Sequence, residues 1–109
     1  MKKLLLLLSL LITTSFSAIH AAEIKVAAVE FNPAEQNLQG NIDGIVAKVI
    51  IASQSGAQLI VLPEVAVTGW IIASTKDSDT IPGKATAAME EITKKYNNYV
   101  VLAYMKMIL

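Results

Sequence analysis

Residues 58–62 read QLIVL and end at Pro63, a short apolar run typical of a buried strand in a parallel sheet. Immediately upstream, Asn37 to Ser55 carries apolar side chains at helical spacing, and Gly56 follows as a helix C-terminal cap. Before that helix, residues 24–31 read IKVAAVEF, which predicts another buried strand. The order strand, helix, strand implies a right-handed crossover between parallel strands.

The rest of the chain extends this unit. Residues 64–79 show no sustained period and predict a loop with a short helical or irregular insert. Apolar residues at helical spacing from Ala85 to Tyr96 predict a second amphipathic helix, and residues 99–105 (YVVLAYM) predict a third strand. The fold class is therefore α/β, in the order β-α-β-α-β. Three parallel strands leave two apolar edges, so the pattern predicts the start of a larger sheet.

Residues 1–21 (MKKLLLLLSLLITTSFSAIHA) differ from this pattern. Two lysines precede an apolar run, and small residues follow it, which is typical of a secretory signal peptide cleaved after Ala21 or a neighbouring alanine. A membrane anchor is the alternative, but the apolar run is shorter than the roughly 20 residues that span a bilayer. We therefore expect an exported protein, periplasmic or secreted, with one domain over residues 22–109 and no membrane span after cleavage.

Charge and composition exclude several classes of function. The 109 residues contain nine acidic residues and nine basic ones, all lysine; without residues 1–21 the net charge is −2. This balance argues against a nucleic-acid-binding protein, which needs a concentrated basic surface. The chain has no cysteine, and its one histidine, His20, lies in the predicted leader. Disulfides, zinc–thiolate sites, histidine ligands and a Ser–His–Asp triad are therefore excluded from residues 22–109.

Glu64 is the residue most suggestive of chemistry. It directly follows the strand QLIVL and Pro63, and apolar residues 65–67 come after it. Catalytic groups of parallel α/β sheets gather beyond the carboxyl ends of strands, and an apolar setting raises the pKa of a glutamate toward that of a general base. The alternative is a loop carboxylate that points into water or pairs with a lysine.

The stretch GAQLIVLPEVAVTGW, residues 56–70, closely resembles the first signature of the nitrilase, or carbon–nitrogen hydrolase, superfamily. The resemblance continues upstream through KVAAVEFNP and NIDGIVAKVIIASQSGAQ and downstream through IPGKATAAMEEITKKYNNYVVLAY, so it covers nearly all of residues 22–109. Its most specific element is Pro63-Glu64 with Gly69 five residues after the glutamate. The resemblance implies the N-terminal part of a four-layer α-β-β-α sandwich.

The family works through a Glu–Lys–Cys triad, and by position Glu64 matches the glutamate, the general base. The resemblance implies hydrolysis of a small amide or nitrile without a cofactor or metal, and an amidase activity for an exported member. The chain departs from the family in having no cysteine and no lysine motif; Lys106 lacks the surrounding pattern and is not assigned that role. The pattern is lost over residues 105–109, which predicts a chain shortened before the Lys and the Cys and inactive alone.

Other candidate residues have simpler interpretations. Trp70 lies at a position that relatives often fill with Tyr, and is expected either to line a substrate pocket or to pack in the core. Glu30, at the end of the first strand, either faces the same pocket or is solvated. Asp43 is assigned to the exposed face of the first helix. Asp77 and Asp79 are too sparse for a calcium loop.

Two alternatives to a catalytic chain remain from the sequence. The first is a non-catalytic remnant, or a subunit completed by a second chain that binds at the sheet edges; a homo-oligomer is also open. The second is an unrelated small α/β binding domain, which predicts a cooperatively folded monomer.

Overall fold

The computed structural model describes residues 21–103 and shows an α/β unit. Its elements in chain order are β1 (Val26–Ala28), α1 (Leu38–Gln54), β2 (Leu59–Val61), a 3-10 turn (Thr75–Asp77), α2 (Lys84–Tyr96) and β3 (Tyr99–Val101). The predicted order β-α-β-α-β is confirmed, as are both helices and the short helical insert. The predicted signal peptide, apart from Ala21, lies outside the described residues, as do Lys106 and the last two residues of the predicted third strand.

The three strands form one parallel sheet in the order β1-β2-β3. Ala27, Ile60 and Val100 stand opposite one another at its centre and pack against the helices. Ile60 is fully buried, and so are Ile45 and Val49 of α1. The two helices contact each other, and their apolar faces cover the same side of the sheet. The core therefore lies between the helical layer and this side of the sheet.

Local sequence signals explain where α1 begins and ends. The side chain of Asn37 accepts a hydrogen bond from the backbone N–H of Gly40, which satisfies a donor of the first helical turn. At the other end, Gly56 has φ of 87°, the left-handed conformation that ends many helices, and its N–H donates to the carbonyl of Ser53. The cap predicted at Gly56 is confirmed.

The strands are shorter and more exposed than the sequence predicts. Residues 24–31 are expected to form a buried strand, but β1 has three residues, and Val26 is 52% exposed. The expectation of burial is wrong for β1 because the helices cover only one side of the sheet and β1 pairs only with β2. The other side presents Val26, Tyr99 and Val101 as exposed apolar side chains; we call it the open face.

Within residues 21–103, no helix combines the length and apolar character needed to cross a membrane.

Candidate active site

The site predicted around Glu64 lies where β1 and β2 end. The loop after β2, residues 62–71, carries Glu64, and the loop after β1 runs up to α1. Because β1 and β2 are parallel, both loops leave the sheet at the same edge. The order of elements therefore brings the two loops together.

The loop after β2 folds inward on both sides of Glu64. Leu62 and residues 65–69 are buried, whereas Glu64 between them is exposed. Val65 is 2% exposed and has φ of 52°, an unfavourable conformation for a β-branched residue. The carbonyl of Val65 accepts a 2.8 Å hydrogen bond from the N–H of Gly69. This tight turn keeps the apolar residues in the core and leaves the Glu64 carboxylate at the surface.

A buried asparagine of α1 connects the two loops. Asn41 is 2% exposed, and its Nδ2 donates to the carbonyls of Ala34, at 2.8 Å, and Val67, at 3.1 Å. Its Oδ1 accepts a 2.8 Å hydrogen bond from the N–H of Ala34. One side chain therefore bonds the backbone of the loop after β1 and the backbone of the loop after β2.

A carboxylate makes a second connection between the loops. The backbone N–H groups of Trp70 and Ile71 donate to Oε1 and Oε2 of Glu35, at 3.2 and 2.8 Å. Gly69, with φ of 68°, lies against this carboxylate, and a Cβ there would come within 2.5 Å of Oε2. The absence of a side chain at Gly69 allows the close approach.

The two glutamates that the sequence suggests for the site have different surroundings. Glu64 is exposed rather than partly desolvated, and among residues 21–103 nothing donates a hydrogen bond to its carboxylate. Glu30 lines a cavity of about 360 Å³ with Phe31, Asn32 and Lys48, a cavity whose lining does not include Glu64. Glu30 therefore has a setting of its own at the end of β1.

The remaining candidates have structural roles or lie at the surface. Trp70 is 62% exposed, which makes the core interpretation wrong for this residue. Asp43 accepts a hydrogen bond from Gln39 on the exposed face of α1. Asp77 caps the 3-10 turn through Ser74, and Asp79 accepts backbone N–H groups at the start of α2. In the part of the chain that the structure describes, no three His, Cys, Asp or Glu side chains could together hold a metal ion.

A family model described as carbon-nitrogen hydrolase matches residues 25–107, which include every described helix and strand. The chain belongs to the carbon–nitrogen hydrolase family. The alternative of an unrelated α/β domain is therefore wrong. The three-stranded parallel sheet and its two helices agree with part of a nitrilase-like fold.

A nitrilase from Meyerozyma guilliermondii is similar to this carbon–nitrogen hydrolase family member. The two are 33% identical over 96 aligned residues, which cover 76% of the chain and 30% of the nitrilase. The chain thus spans about a third of the length of that curated relative.

Asn41 and Glu35 connect the two loops, and neither is among the residues that the sequence predicts for the site. Asn41 had a detectable signal, because it lies on the face of α1 that is otherwise apolar, between Leu38 and Ile45 at helical spacing. Glu35 had none, since it is an exposed loop residue whose partners lie 35 and 36 residues away.

Proposed function

We propose that the chain is part of an exported amidase or nitrilase-like hydrolase of non-peptide C–N bonds, with Glu64 as its general base. One observation carries the proposal. In a member of the carbon–nitrogen hydrolase family, the glutamate that matches the family's base is exposed immediately after the central strand, at the edge of the sheet where α/β enzymes bind ligands. Export rests on the leader pattern of residues 1–21.

The proposed reaction begins at a cysteine thiol. Glu64 takes the thiol proton, and the thiolate attacks the carbon of a small amide or nitrile. For a nitrile, the proton passes to the nitrogen of the thioimidate that forms, and one water molecule converts this adduct into the thioester and ammonia. For an amide, Glu64 returns the proton to the leaving nitrogen, and ammonia or an amine departs. Glu64 then takes a proton from water, which attacks the thioester; the acid is released and the thiol regains its proton. The family's lysine stabilises the oxyanion throughout.

The 109 residues contain no cysteine, so the thiol must come from polypeptide outside them. We propose that the 109 residues alone are inactive and that polypeptide outside them, either continuous with them or a second chain, supplies the lysine and the cysteine. The open face is consistent with this proposal, because its exposed apolar side chains are suited to cover by further polypeptide.

The first test combines sequence and activity. Reading the DNA beyond codon 109 in all three frames should reveal the lysine and cysteine motifs. If the motifs are absent there and in any copurifying chain, the proposal that outside polypeptide supplies them fails. Release of ammonia from small amides and nitriles is then measured. We expect the chain alone to release no ammonia. If it does turn over substrate, and Glu64→Gln abolishes that turnover, the proposed dependence on an outside thiol is wrong.

The second test isolates Glu64. In the polypeptide that joins the chain to the lysine and cysteine motifs, Glu64→Gln should lower the rate of ammonia release by roughly 10²- to 10⁴-fold, because the variant has no base to accept the thiol proton. Glu91→Gln, which alters an exposed carboxylate of α2, is the matched control and should leave the rate unchanged. Equal rates for the two variants would exclude Glu64 as the base.

A further inference from the structure

We infer that Asn41 and Glu35 are positioning residues, which together fix the loop after β2 and thereby the direction in which Glu64 leaves the sheet. The inference rests on the proposed role of Glu64. The hydrogen bonds of the two side chains within residues 21–103 do not include Glu64. Each acts on the backbone of the same loop, one from the core and the other from the surface.

The hydrogen-bonding capacity of Asn41 explains its part. The carboxamide offers two N–H donors and an acceptor oxygen, and all are used: both donors bond backbone carbonyls, and the oxygen accepts a backbone N–H. Because the side chain is buried, its rotation would leave buried polar groups unpaired. The distance between Ala34 and Val67 is therefore fixed by one rigid planar group.

Glu35 fixes the other end of the loop. Its two oxygens each accept a consecutive N–H, from Trp70 and from Ile71, and hydrogen bonds to an ionised acceptor are stronger than those between neutral groups. The two N–H groups orient the carboxylate, and the missing Cβ of Gly69 makes room for it. The loop is therefore bonded at Val67 and again at residues 70 and 71.

The conformation at Val65 shows why the loop needs these bonds. A β-branched residue with positive φ persists only where its surroundings determine the backbone. Val65 directly follows Glu64, so a change in its φ would rotate the peptide that carries the glutamate. Asn41 and Glu35 supply fixed points after the turn, and the buried side chain of Val65 supplies one within it.

The decisive experiment follows backbone amides by NMR in the full chain. Glu35→Ala should accelerate hydrogen exchange at the amides of Trp70 and Ile71 by about tenfold or more and should also shift the Glu64 and Val65 amide resonances. Glu35→Gln retains one acceptor oxygen and should rescue part of the protection. Glu91→Ala, which removes an exposed carboxylate of α2, is the control and should change none of these signals.

Two results would overturn the inference. Unchanged exchange at residues 70 and 71 in Glu35→Ala would show that the carboxylate does not hold the loop. Faster exchange without movement of the Glu64 resonances would show a local bond with no positioning role. Neither readout depends on catalysis. If the proposed role of Glu64 as the base is wrong, the ammonia assay detects that separately.

Asn41 is tested with an isosteric variant. In Asn41→Asp, a carboxylate would face the carbonyls of Ala34 and Val67, to which it cannot donate. We expect the Val67 and Glu64 resonances to shift while α2 signals stay in place; unmoved Glu64 resonances would overturn the role of Asn41. If Asn41→Asp fails to fold, the Glu35 variants decide the inference alone, because Glu35 is exposed and its replacement leaves no buried group unpaired.

Discussion

At the scale of single residues, Gly69 combines two constraints that other turn glycines do not share. Its φ of 68° disfavours any side chain, and a Cβ would also collide with the Glu35 carboxylate. Gly56 has a similar φ of 87° but faces open space. The two glycines therefore allow the backbone cost of alanine to be separated from the cost of displacing Glu35.

Gly69→Ala should reduce the free energy of unfolding more than Gly56→Ala, for which the backbone penalty alone is about 1 to 2 kcal/mol. Urea denaturation of both variants measures the difference. Repeating the comparison in a Glu35→Ala background should remove it, since no carboxylate then remains to be displaced. A difference that persists in that background would assign the extra cost to some other contact of Gly69.

The same scale shows what a single sequence reveals about a site. Glu64 can be identified from the sequence as a candidate site residue, because the preceding strand and Pro63 place it at the carboxyl end of a strand. The sequence leaves open whether Glu64 is partly desolvated or points into water. It cannot decide between the two, because the exposed position of Glu64 goes with the positive φ of Val65, for which a β-branched residue gives no signal. Glu35 could not be selected either, since its role arises only when the chain brings residues 70 and 71 to it.

At the scale of elements, α2 begins at a carboxylate from the preceding loop. Asp79 is nearly buried and accepts the N–H groups of Thr80, Lys84 and Ala85. The last two are donors of the first helical turn, which has no partners within the helix. A negative charge at this position also complements the helix dipole.

Asp79→Ala should lower the free energy of unfolding by about 1 to 2 kcal/mol, as expected for the loss of a helix cap. Asp79→Asn retains one acceptor oxygen, so its free energy of unfolding should lie between those of the wild type and Asp79→Ala. Thermal or urea denaturation measures all three. Asp43→Ala removes an exposed aspartate of α1 and should change stability by less than about 0.5 kcal/mol. Equal losses at the two positions would contradict a capping role for Asp79.

The exposed face of α2 carries an ion pair with a defined pH dependence. Lys94 Nζ lies 2.5 Å from Glu90 Oε1, and the hydrogen bond and charge of Lys94 lower the pKa of the Glu90 carboxyl. Because the folded-state pKa is the lower one, the stabilisation is complete above the unfolded-state pKa and is lost as pH falls through the folded-state value. The pair therefore acts at neutral pH.

Glu90→Gln should consequently destabilise the protein slightly at neutral pH and low salt, and this difference from the wild type should vanish on acidification through the carboxyl titration range. Added salt should also reduce it, because the pair is exposed. Glu91→Gln on the same helix is the control. A difference between Glu90→Gln and the wild type that is equal at acidic and neutral pH would mean that the ion pair does not cause it.

The elements themselves could largely be predicted. The ends of both helices are predicted to within one residue, because apolar spacing is a local signal and Gly56 marks the end of α1. The predicted strands are longer and more buried than the observed ones. An apolar run indicates that a strand is present, but it does not indicate how many of its residues pair with a neighbouring strand. For β1, pairing covers three residues opposite β2.

At the scale of the whole molecule, the described unit has one covered and one uncovered side. The register aligns Val26, Leu59 and Tyr99 in one row and Ala28, Val61 and Val101 in the next, on the open face. None of these six side chains is charged. Tyr99 is 76% exposed, so much apolar surface meets water there. An exposed apolar surface of this kind is typical of an interaction site.

The open face should therefore make the chain associate when no other polypeptide covers it. We expect sedimentation velocity to show an average mass that rises with protein concentration. Tyr99→Lys and Val101→Lys should each lower this average mass, because a charge on the open face opposes its burial. Ile81→Lys introduces the same charge at an exposed loop residue and should leave association unchanged. If Ile81→Lys lowers the mass as much as Tyr99→Lys, net charge rather than the open face governs association.

If the polypeptide carrying the lysine and cysteine motifs covers this face, its addition should abolish self-association of the wild type.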